Sequence, residues 1–272
     1  MLGEGGDRKG YMKLSIVIPA RNESGNIGQT LDALRETLFT EEIDYEIIVV
    51  DDGSSDNTPL EVAGRMAEDP GVRLVQNNGL HGFGRAIRCG LDAFTGDAVV
   101  IVMADGSDDP RDVVAYYHIL RSKAECVFGS RWIRGSTVRD YPSHKFVLNR
   151  LANLFIRLLF RLNYNDVTNA FKGYRAHVIQ GCLPLLAPHF NLTVEIPLKA
   201  IVRGYTYEIV PISWRNRKVG KSSLRIEEMG SRYLYTILSI WLEKMLTKDD
   251  YRRMDDHVFA LEQRSSGEES VA

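Results

Sequence analysis

Apolar positions in the first half of the chain fall into short unbroken runs, separated by stretches with helical spacing. Leu14-Ser15-Ile16-Val17-Ile18-Pro19 is a compact run closed by proline, and it predicts a first buried strand. Over 26–38 the residues Ile27, Leu31, Leu34 and Leu38 recur three or four apart, the spacing of one helix face. The same reading predicts strands over 45–50, 72–75 and 98–103, and helices over 58–66 and 84–94. Strands alternating with helices at this pitch predict an α/β domain built on a doubly wound, mainly parallel sheet. In such sheets ligands bind beyond the carboxyl ends of the strands.

The second half changes character. Residues 126–131 predict a further strand reaching the same edge, and 205–210 a late one. Residues 143–162, SHKFVLNRLANLFIRLLFRL, predict a helix that is apolar over most of its surface, with Arg150, Arg157 and Arg161 near one stripe. It reads either as a core helix or, preferably, as an amphipathic helix lying in a membrane interface. A second strongly apolar helix is predicted over 232–246, which packs on its predecessor, pairs with a second chain or meets lipid. Neither is expected to span a membrane, since a span needs about 20 predominantly apolar residues. The expected organisation is a flexible arm over 1–12, an α/β domain over 13–226, an amphipathic interface helix over 227–250 and a polar, disordered tail over 251–272.

Composition narrows the classes. With 44% hydrophobic residues, 26% charged residues and a formal net charge of −2, the chain reads as a soluble globular protein and not as a general nucleic-acid binder. Cys89, Cys126 and Cys182 are odd in number and lack CxxC spacing, which suggests buried thiols in a reducing compartment. No secretory leader is read at the N-terminus, so a cytoplasmic protein is expected.

Polar residues gather at the predicted strand exits. The first strand runs into Arg21-Asn22-Glu23, the second into Asp51-Asp52-Gly53-Ser54, the fourth into Asp105-Gly106-Ser107-Asp108-Asp109. Either Asp56 or Asn57, taken alone, serves equally well as a helix cap. Three carboxylates crowding one exit, however, repel one another and resist desolvation, so a cation belongs near them.

Six motifs occur in order: VIPARNESGNI (17–27), VVDDGSSDNT (49–58), ADGSDDP (104–110), FGSRW (128–132), NDVTNAFKGYR (165–175) and ISWRNRKVGKSSL (212–224). Together they resemble the inverting GT-A glycosyltransferases of family 2, most of all the dolichol-phosphate mannose synthases and related polyprenyl-phosphate sugar transferases. The resemblance runs from about Ser15 to Leu224. It implies a Rossmann-like GT-A fold with C-terminal amphipathic helices, and a divalent ion, Mg²⁺ or Mn²⁺, bridging carboxylates to a nucleotide-sugar diphosphate. Oxygen ligands suit such an ion, whose charge stabilises a departing diphosphate. By position Asp105 is the main metal ligand, while Pro19, Ala20, Arg21, Glu23, Asp51, Asp52 and Ala104 form the nucleotide-sugar side. The synthases usually read Asp-Ala-Asp-Leu-Gln where this chain has Met103-Ala104-Asp105-Gly106-Ser107. Met103 is a poor ligand for a hard cation, so Ser107 and Asp108 are expected to complete the shell. Asp109 offers charge as well but also reads as the start of a helix.

The resemblance also implies an acceptor. A lipid monophosphate is anionic near neutral pH, with a second pKa of about 6, and needs cationic positioning more than a base. Arg131, Lys145 and Arg217 match positive positions of the synthases, and Lys221 and Ser222 extend that set. Arg215, Lys218 and Arg225 thicken the same loop, whose plain alternative is a solvated basic turn. Arg131 and Arg217 join Asp105 as the expected catalytic residues. The implied reaction moves a sugar from an NDP-sugar to a polyprenyl phosphate with inversion, GDP-mannose being the default donor and a UDP-sugar remaining open. Peripheral docking on the cytoplasmic face of a membrane is expected, with a small membrane-protein partner or a homo-oligomer left open. Two rivals stand. One is transfer to a hydroxyl acceptor with Glu195 or Asp108 as base; the other is a non-catalytic nucleotide-sugar binder, marked by Met103. His81 lies in a Gly-rich turn, where backbone permissiveness accounts for Gly82 and Gly84. Asp166, Thr168, Lys172 and Arg175 sit in a matched motif, with bracing and substrate contact both open.

Overall fold

The structure, a computed structural model, describes residues 12–216, 226–247 and 250. The first half follows the apolar pattern: β1 (Leu14–Ala20), α1 (Ile27–Thr40), β2 (Tyr45–Asp51), α2 (Thr58–Glu68), β3 (Val72–Gln76), α3 (Phe83–Ala93) and β4 (Ala98–Ile101). Then come α4 (Pro110–Ser122), β5 (Cys126–Ser130), β6 (Thr137–Arg139), α5 (Ser143–Phe160), β7 (Lys172–Arg175), α6 (Ala176–Gly181) and α7 (Leu192–Val202). The described chain closes with β8 (Tyr207–Pro211), β9 (Ser213–Arg215) and α8 (Ile226–Leu242), which runs into a π-helical turn at Glu243–Thr247.

Seven strands form one sheet in the order β3-β2-β1-β4-β7-β5-β8, and β6 pairs with β9 beside it. Every pairing in the large sheet is parallel except those of β7, which runs antiparallel between β4 and β5. Both faces are covered, so neighbouring residues of one strand enter opposite cores. Ile16, Ile18, Ile47 and Val49 pack against α1, α2 and α4, while Val17, Ile48 and Val50 pack toward α3, α7 and α8. Burial on both faces is why these strands read as continuous apolar runs and not as alternating ones.

Three differences from the sequence reading have physical causes. β4 stops at Ile101, because the Met103 N–H turns away to donate to Asp108 Oδ2 at 3.0 Å. β7 was not predicted: it is four residues long and carries Lys172 and Gly173 at the centre of the sheet. α7 is buried over nearly its whole surface and contains Pro197, so it shows no helical stripe.

Of the two glycines near His81, Gly84 departs from expectation and Gly82 follows it. Gly84 lies in the first turn of α3, where no unusual φ is needed. A Cβ there would stand 2.4 Å from the Ala187 carbonyl oxygen and 2.9 Å from the His189 nitrogen, so close approach of two backbones requires the glycine. Gly82 combines a φ of +151° with a Cβ position 2.5 Å from the Pro188 oxygen.

α8 joins the core through Ile237 and Ile240, and Asn191 Nδ2 donates to its Thr236 Oγ1 at 2.9 Å. α5 buries Asn153, Ile156 and Phe160 but exposes Val147, Leu148, Leu151, Leu154, Phe155 and Leu158. Its arginines turn back onto the protein: Arg150 donates to the Asn165 carbonyl and Arg157 to the Leu162 carbonyl, each at 3.4 Å. Among the described residues no helix is long and apolar enough to cross a membrane. The three cysteines are free thiols, and burial pushes Cys182 up to about 12.

Gly84→Ala forces one methyl against main chain that cannot rotate away. It is expected to cost roughly 1–3 kcal/mol, read as a lower urea midpoint at unchanged m-value.

Candidate active site

The parallel register brings the predicted exits together. Ala20 stands beside Asp51, and the Asp52 N–H donates to the Ala20 carbonyl at 2.9 Å. Thr30 Oγ1 of α1 donates to the Ala104 carbonyl at 2.9 Å, which fixes the turn after β4 against the same edge. Pro19, Ala20, Asp51, Asp52 and Ala104 are buried here, Arg21 is exposed, and Glu23 is half-buried with Oε2 accepting from Asn26 Nδ2.

The two aspartates of β2 do different work. Asp51 Oδ1 accepts the Ser54 N–H at 3.0 Å, shaping the turn in which Gly53 has φ +76°. Asp52 accepts from Asn77 Nδ2 at 2.6 Å and from the Gly82 N–H at 2.8 Å, so both its oxygens hold the loop after β3. The His81 ring fills the space over Gly53, and its Nδ1 lies 3.4 Å from Asp52 Oδ1.

The acidic turn after β4 disperses its charge in separate ways. Asp109 caps α4, accepting the Arg111 N–H at 3.0 Å and pairing with Arg111 Nη2 at 2.6 Å. Asp108 is buried, and burial pushes its carboxyl up to about 7. Asp112 accepts the Ser213 N–H at 2.7 Å, and burial pushes it up to about 6. Asp105 stands half-buried beside the exposed Gly106, whose φ is +66°, and its Oδ1 accepts the Ser107 N–H at 3.2 Å. Ser107 is buried, and its carbonyl accepts the Arg215 N–H at 3.0 Å. Among the described residues no group of three or more His, Cys, Asp or Glu side chains is assembled around a cation position. A single oxygen-bearing carboxylate at an open turn instead fits an ion that draws its other ligands from phosphate and water, as Mg²⁺ commonly does.

The cationic side is more guarded than the sequence suggests. Arg131 is buried at the end of β5 and donates its backbone N–H, Nε and Nη2 to Asp166 at 2.9, 2.8 and 2.7 Å. Burial opposes this charge, but Asp166 more than restores it and holds the guanidinium above its ordinary pKa. Three rings frame it, with Cζ 5.7, 5.4 and 6.0 Å from the centroids of Trp132, Tyr141 and Trp214. Trp132 continues to α5 by an edge contact with Phe146 and by Nε1 donating to Asn149 Oδ1 at 3.2 Å. Lys145 lies in the first turn of α5, partly exposed. Arg217, Lys218, Lys221, Ser222 and Arg225, like most of the expected N-terminal arm and the whole tail, lie outside the described residues.

Trp214 joins the two sides. It forms an isolated bridge with Asp108 while stacking near Arg131, so the acidic turn and the arginine share one neighbour. Glu195 is elsewhere engaged: its oxygens accept the Leu186 and Ala187 N–H groups at 2.8 and 2.7 Å and pair with Lys199 at 2.9 Å. It is buried and braces the segment before α7. The sequence leaves Asp166 and Lys172 open between bracing and substrate contact, their presence in the 165–175 motif being the available signal; the structure pairs Asp166 with Arg131.

The glycosyl transferase family 2 profile matches residues 15–182, more than half of the chain. This protein belongs to glycosyl transferase family 2. The chain is 27% identical over 215 residues to a polyprenol monophosphomannose synthase of Mycolicibacterium smegmatis, covering 77% of this chain and 80% of that protein. It is 27% identical over 219 residues to an undecaprenyl-phosphate mannosyltransferase of Micrococcus luteus, covering 78% and 88%. Among solved structures, a glucosyl-3-phosphoglycerate synthase of Mycobacterium tuberculosis, in complex with Mn²⁺, UDP-glucose and phosphoglyceric acid, superposes with a TM-score of 0.66 at 20% identity, over 85% of this chain and 80% of that one. The fold of this family 2 member is therefore the Rossmann-like GT-A arrangement expected from its motifs.

Asp166→Ala leaves the buried Arg131 charge uncompensated and is expected to cost about 3–5 kcal/mol in urea unfolding. Adding Arg131→Met to it should recover part of that loss, because the stranded charge is then gone.

Proposed function

We propose that this glycosyltransferase moves a sugar, mannose by default, from a nucleoside-diphosphate sugar to a polyprenyl phosphate with inversion at the anomeric carbon. The observation that carries the reading is a buried, aromatic-framed arginine tied on one side to the acidic turn and on the other to a helix with an apolar outer face. An anionic head group on an apolar chain needs a cation next to an apolar surface. The two mannosyl relatives, whose names specify polyprenol and undecaprenyl-phosphate substrates, support the same acceptor.

In this reading Ala20, Glu23, Asp51 and Ala104 face the nucleotide-sugar, while Asp52 holds the loop that closes beside it. Asp105 is the residue that would hold Mg²⁺ or Mn²⁺, with Ser107 and Asp108 shaping the turn around it. When bound, the ion supplies positive charge to the leaving diphosphate. Arg131 orients the acceptor phosphate, whose oxygen is already a nucleophile, so positioning carries most of the chemistry. Lys145, Arg217, Lys221 and Ser222 extend that cationic surface. The hydroxyl-acceptor rival loses support at Glu195, whose oxygens are taken by backbone N–H groups and Lys199. GDP-mannose is the default donor and UDP-glucose the principal alternative.

The exposed face of α5 is proposed to lie in the headgroup region of the membrane that supplies the lipid, on its cytoplasmic side. Its apolar residues face outward while Arg150 and Arg157 fold back, the arrangement of an interfacial helix. A small membrane protein or a second copy of the chain would add to this attachment.

Thermal unfolding in a panel of GDP- and UDP-sugars with and without Mn²⁺ tests the donor side. One nucleotide class is expected to raise Tm by roughly 5–10 °C at about 100 times its Kd, only with metal and not in Asp105→Ala. A shift that survives Asp105→Ala refutes the metal assignment. On the acceptor side, product should form with a short-chain polyprenyl phosphate and not with soluble sugars. For the membrane, Leu151→Glu with Leu158→Glu should cut vesicle co-sedimentation more than about tenfold, since two leucines leave the apolar phase. Turnover of a short-chain acceptor in detergent should stay near wild type.

A further inference from the structure

The Arg131–Asp166 pair poses an electrostatic difficulty. A guanidinium held by a carboxylate through two side-chain contacts has no net charge to offer an anion, and both groups are buried. A third buried ionisable group stands behind them. Lys172 projects from β7 at the middle of the sheet with almost no exposure, and its Nζ donates to the carbonyls of Val167, Asn169 and Thr193. Two of these carbonyls belong to the segment immediately after Asp166, the third to the first turn of α7. Three carbonyl acceptors match the three donors of an ammonium, one more than a neutral amine has.

That segment is the hub of the cationic side. Asn165 Oδ1 accepts from Ser130 Oγ at 2.6 Å and its Nδ2 donates to the Trp132 carbonyl at 3.0 Å, while Asn169 Nδ2 donates to the Gly129 carbonyl at 3.2 Å. The residues on both sides of Asp166 thus hold the strand end from which Arg131 projects. The ammonium that gathers the segment's carbonyls also lies within Coulombic range of Asp166.

We propose that Lys172 is a positioning residue for the acceptor: its buried positive charge offsets Asp166, so that Arg131 keeps a net positive charge for an anionic phosphate while remaining clamped in place. Lys172, Asp166 and Arg131 together carry one net positive charge, whereas the Arg131–Asp166 pair alone carries none. Burial pushes Lys172 down to about 7; Asp166 works against that shift and Arg131 adds to it. The other ionisable groups packed nearby are tyrosines. Tyr164 has its ring 5.9 Å from Nζ, Tyr174 lies on the same strand, and Tyr233 of α8 lies 3.4 Å from Thr193 Oγ1, all with pKa values raised by burial.

The inference rests on the polyprenyl-phosphate reading, and the test separates the two. Lys172→Gln keeps N–H donors for the carbonyls but removes the charge, Lys172→Met keeps the volume without either, and Lys172→Arg keeps the charge. The probes are a short-chain polyprenyl monophosphate as acceptor and the nucleotide-sugar that the wild type turns over. Both neutral variants should raise the acceptor KM about tenfold, the scale of one screened charge interaction, with donor affinity unchanged. Lys172→Arg should bring the acceptor KM back toward wild type. If Lys172→Met does not fold, Lys172→Gln decides the question, since it spares most of the hydrogen bonding. A Gln variant with acceptor KM within twofold of wild type, or with donor and acceptor affinity falling together, overturns the proposal in favour of simple bracing. Absence of wild-type turnover with polyprenyl phosphate counts against the acceptor reading instead. Calorimetric binding of the same phosphate, weakened in Lys172→Gln and retained in Lys172→Arg, would then still support the charge assignment.

Discussion

The register of β1 against its two neighbours is the constraint on which everything else rests. Ala20 opposite Asp51 on one side and Val17 opposite Ile101 on the other bring three strand exits to one level. Parallel strands buried on both faces leave side chains nowhere to be polar except at the ends. Asp51, Asp52 and Asp105 therefore stand at or just beyond strand ends on the same edge of the sheet. α1 then locks the arrangement through Thr30 and the Ala104 carbonyl.

Crowding acids at the rim of an apolar core requires a means of neutralising most of them, and the structure uses a different one for each. Asp52 is consumed by loop donors, Asp109 by a helix start and an arginine, while burial pushes the pKa values of Asp108 and Asp112 up. Asp105 is placed at the tip of the turn, next to a glycine with positive φ. Substituting Met103 for the usual first aspartate of the signature fits this pattern, since it removes one more like charge from a crowded place. Among the described residues no group of three or more acidic, His or Cys side chains is assembled here, so the proposed cation rests on the Asp105 carboxylate at this turn.

How much of this was legible in the sequence follows from what periodicity can encode. The strands of the parallel half read clearly, because residues such as Ile47-Ile48-Val49-Val50 are apolar without interruption. β7 was illegible because it is only four residues long and opens on a lysine, and the three carbonyls that make this lysine tolerable come from the 167–169 segment and from α7, both beyond the strand itself. α7 was illegible because a helix buried all round has no polar face to set its phase. The acidic and basic residues of the site could be named from motifs, but Asp166 as the partner of Arg131 could not. The two are 35 residues apart, and no local spacing links them. Glu195 shows the converse: its position invited a catalytic role, and its three donors assign it to bracing.

The acidic turn and the cationic hub are mechanically one object. Ser213 is held by Asp112 at the start of α4, Trp214 bridges Asp108, and Arg215 donates to the Ser107 carbonyl, so β9 is fastened to the turn after β4 and to the helix that follows it. The same Trp214 ring frames Arg131, and Trp132 beside it reaches into the first turns of α5. A displacement of this turn would therefore reach the aromatic frame around the arginine, and through it the helix with the apolar face. In the proposed transfer the charged donor and the lipid-borne acceptor would arrive from different phases, and such rigidity would fix their separation.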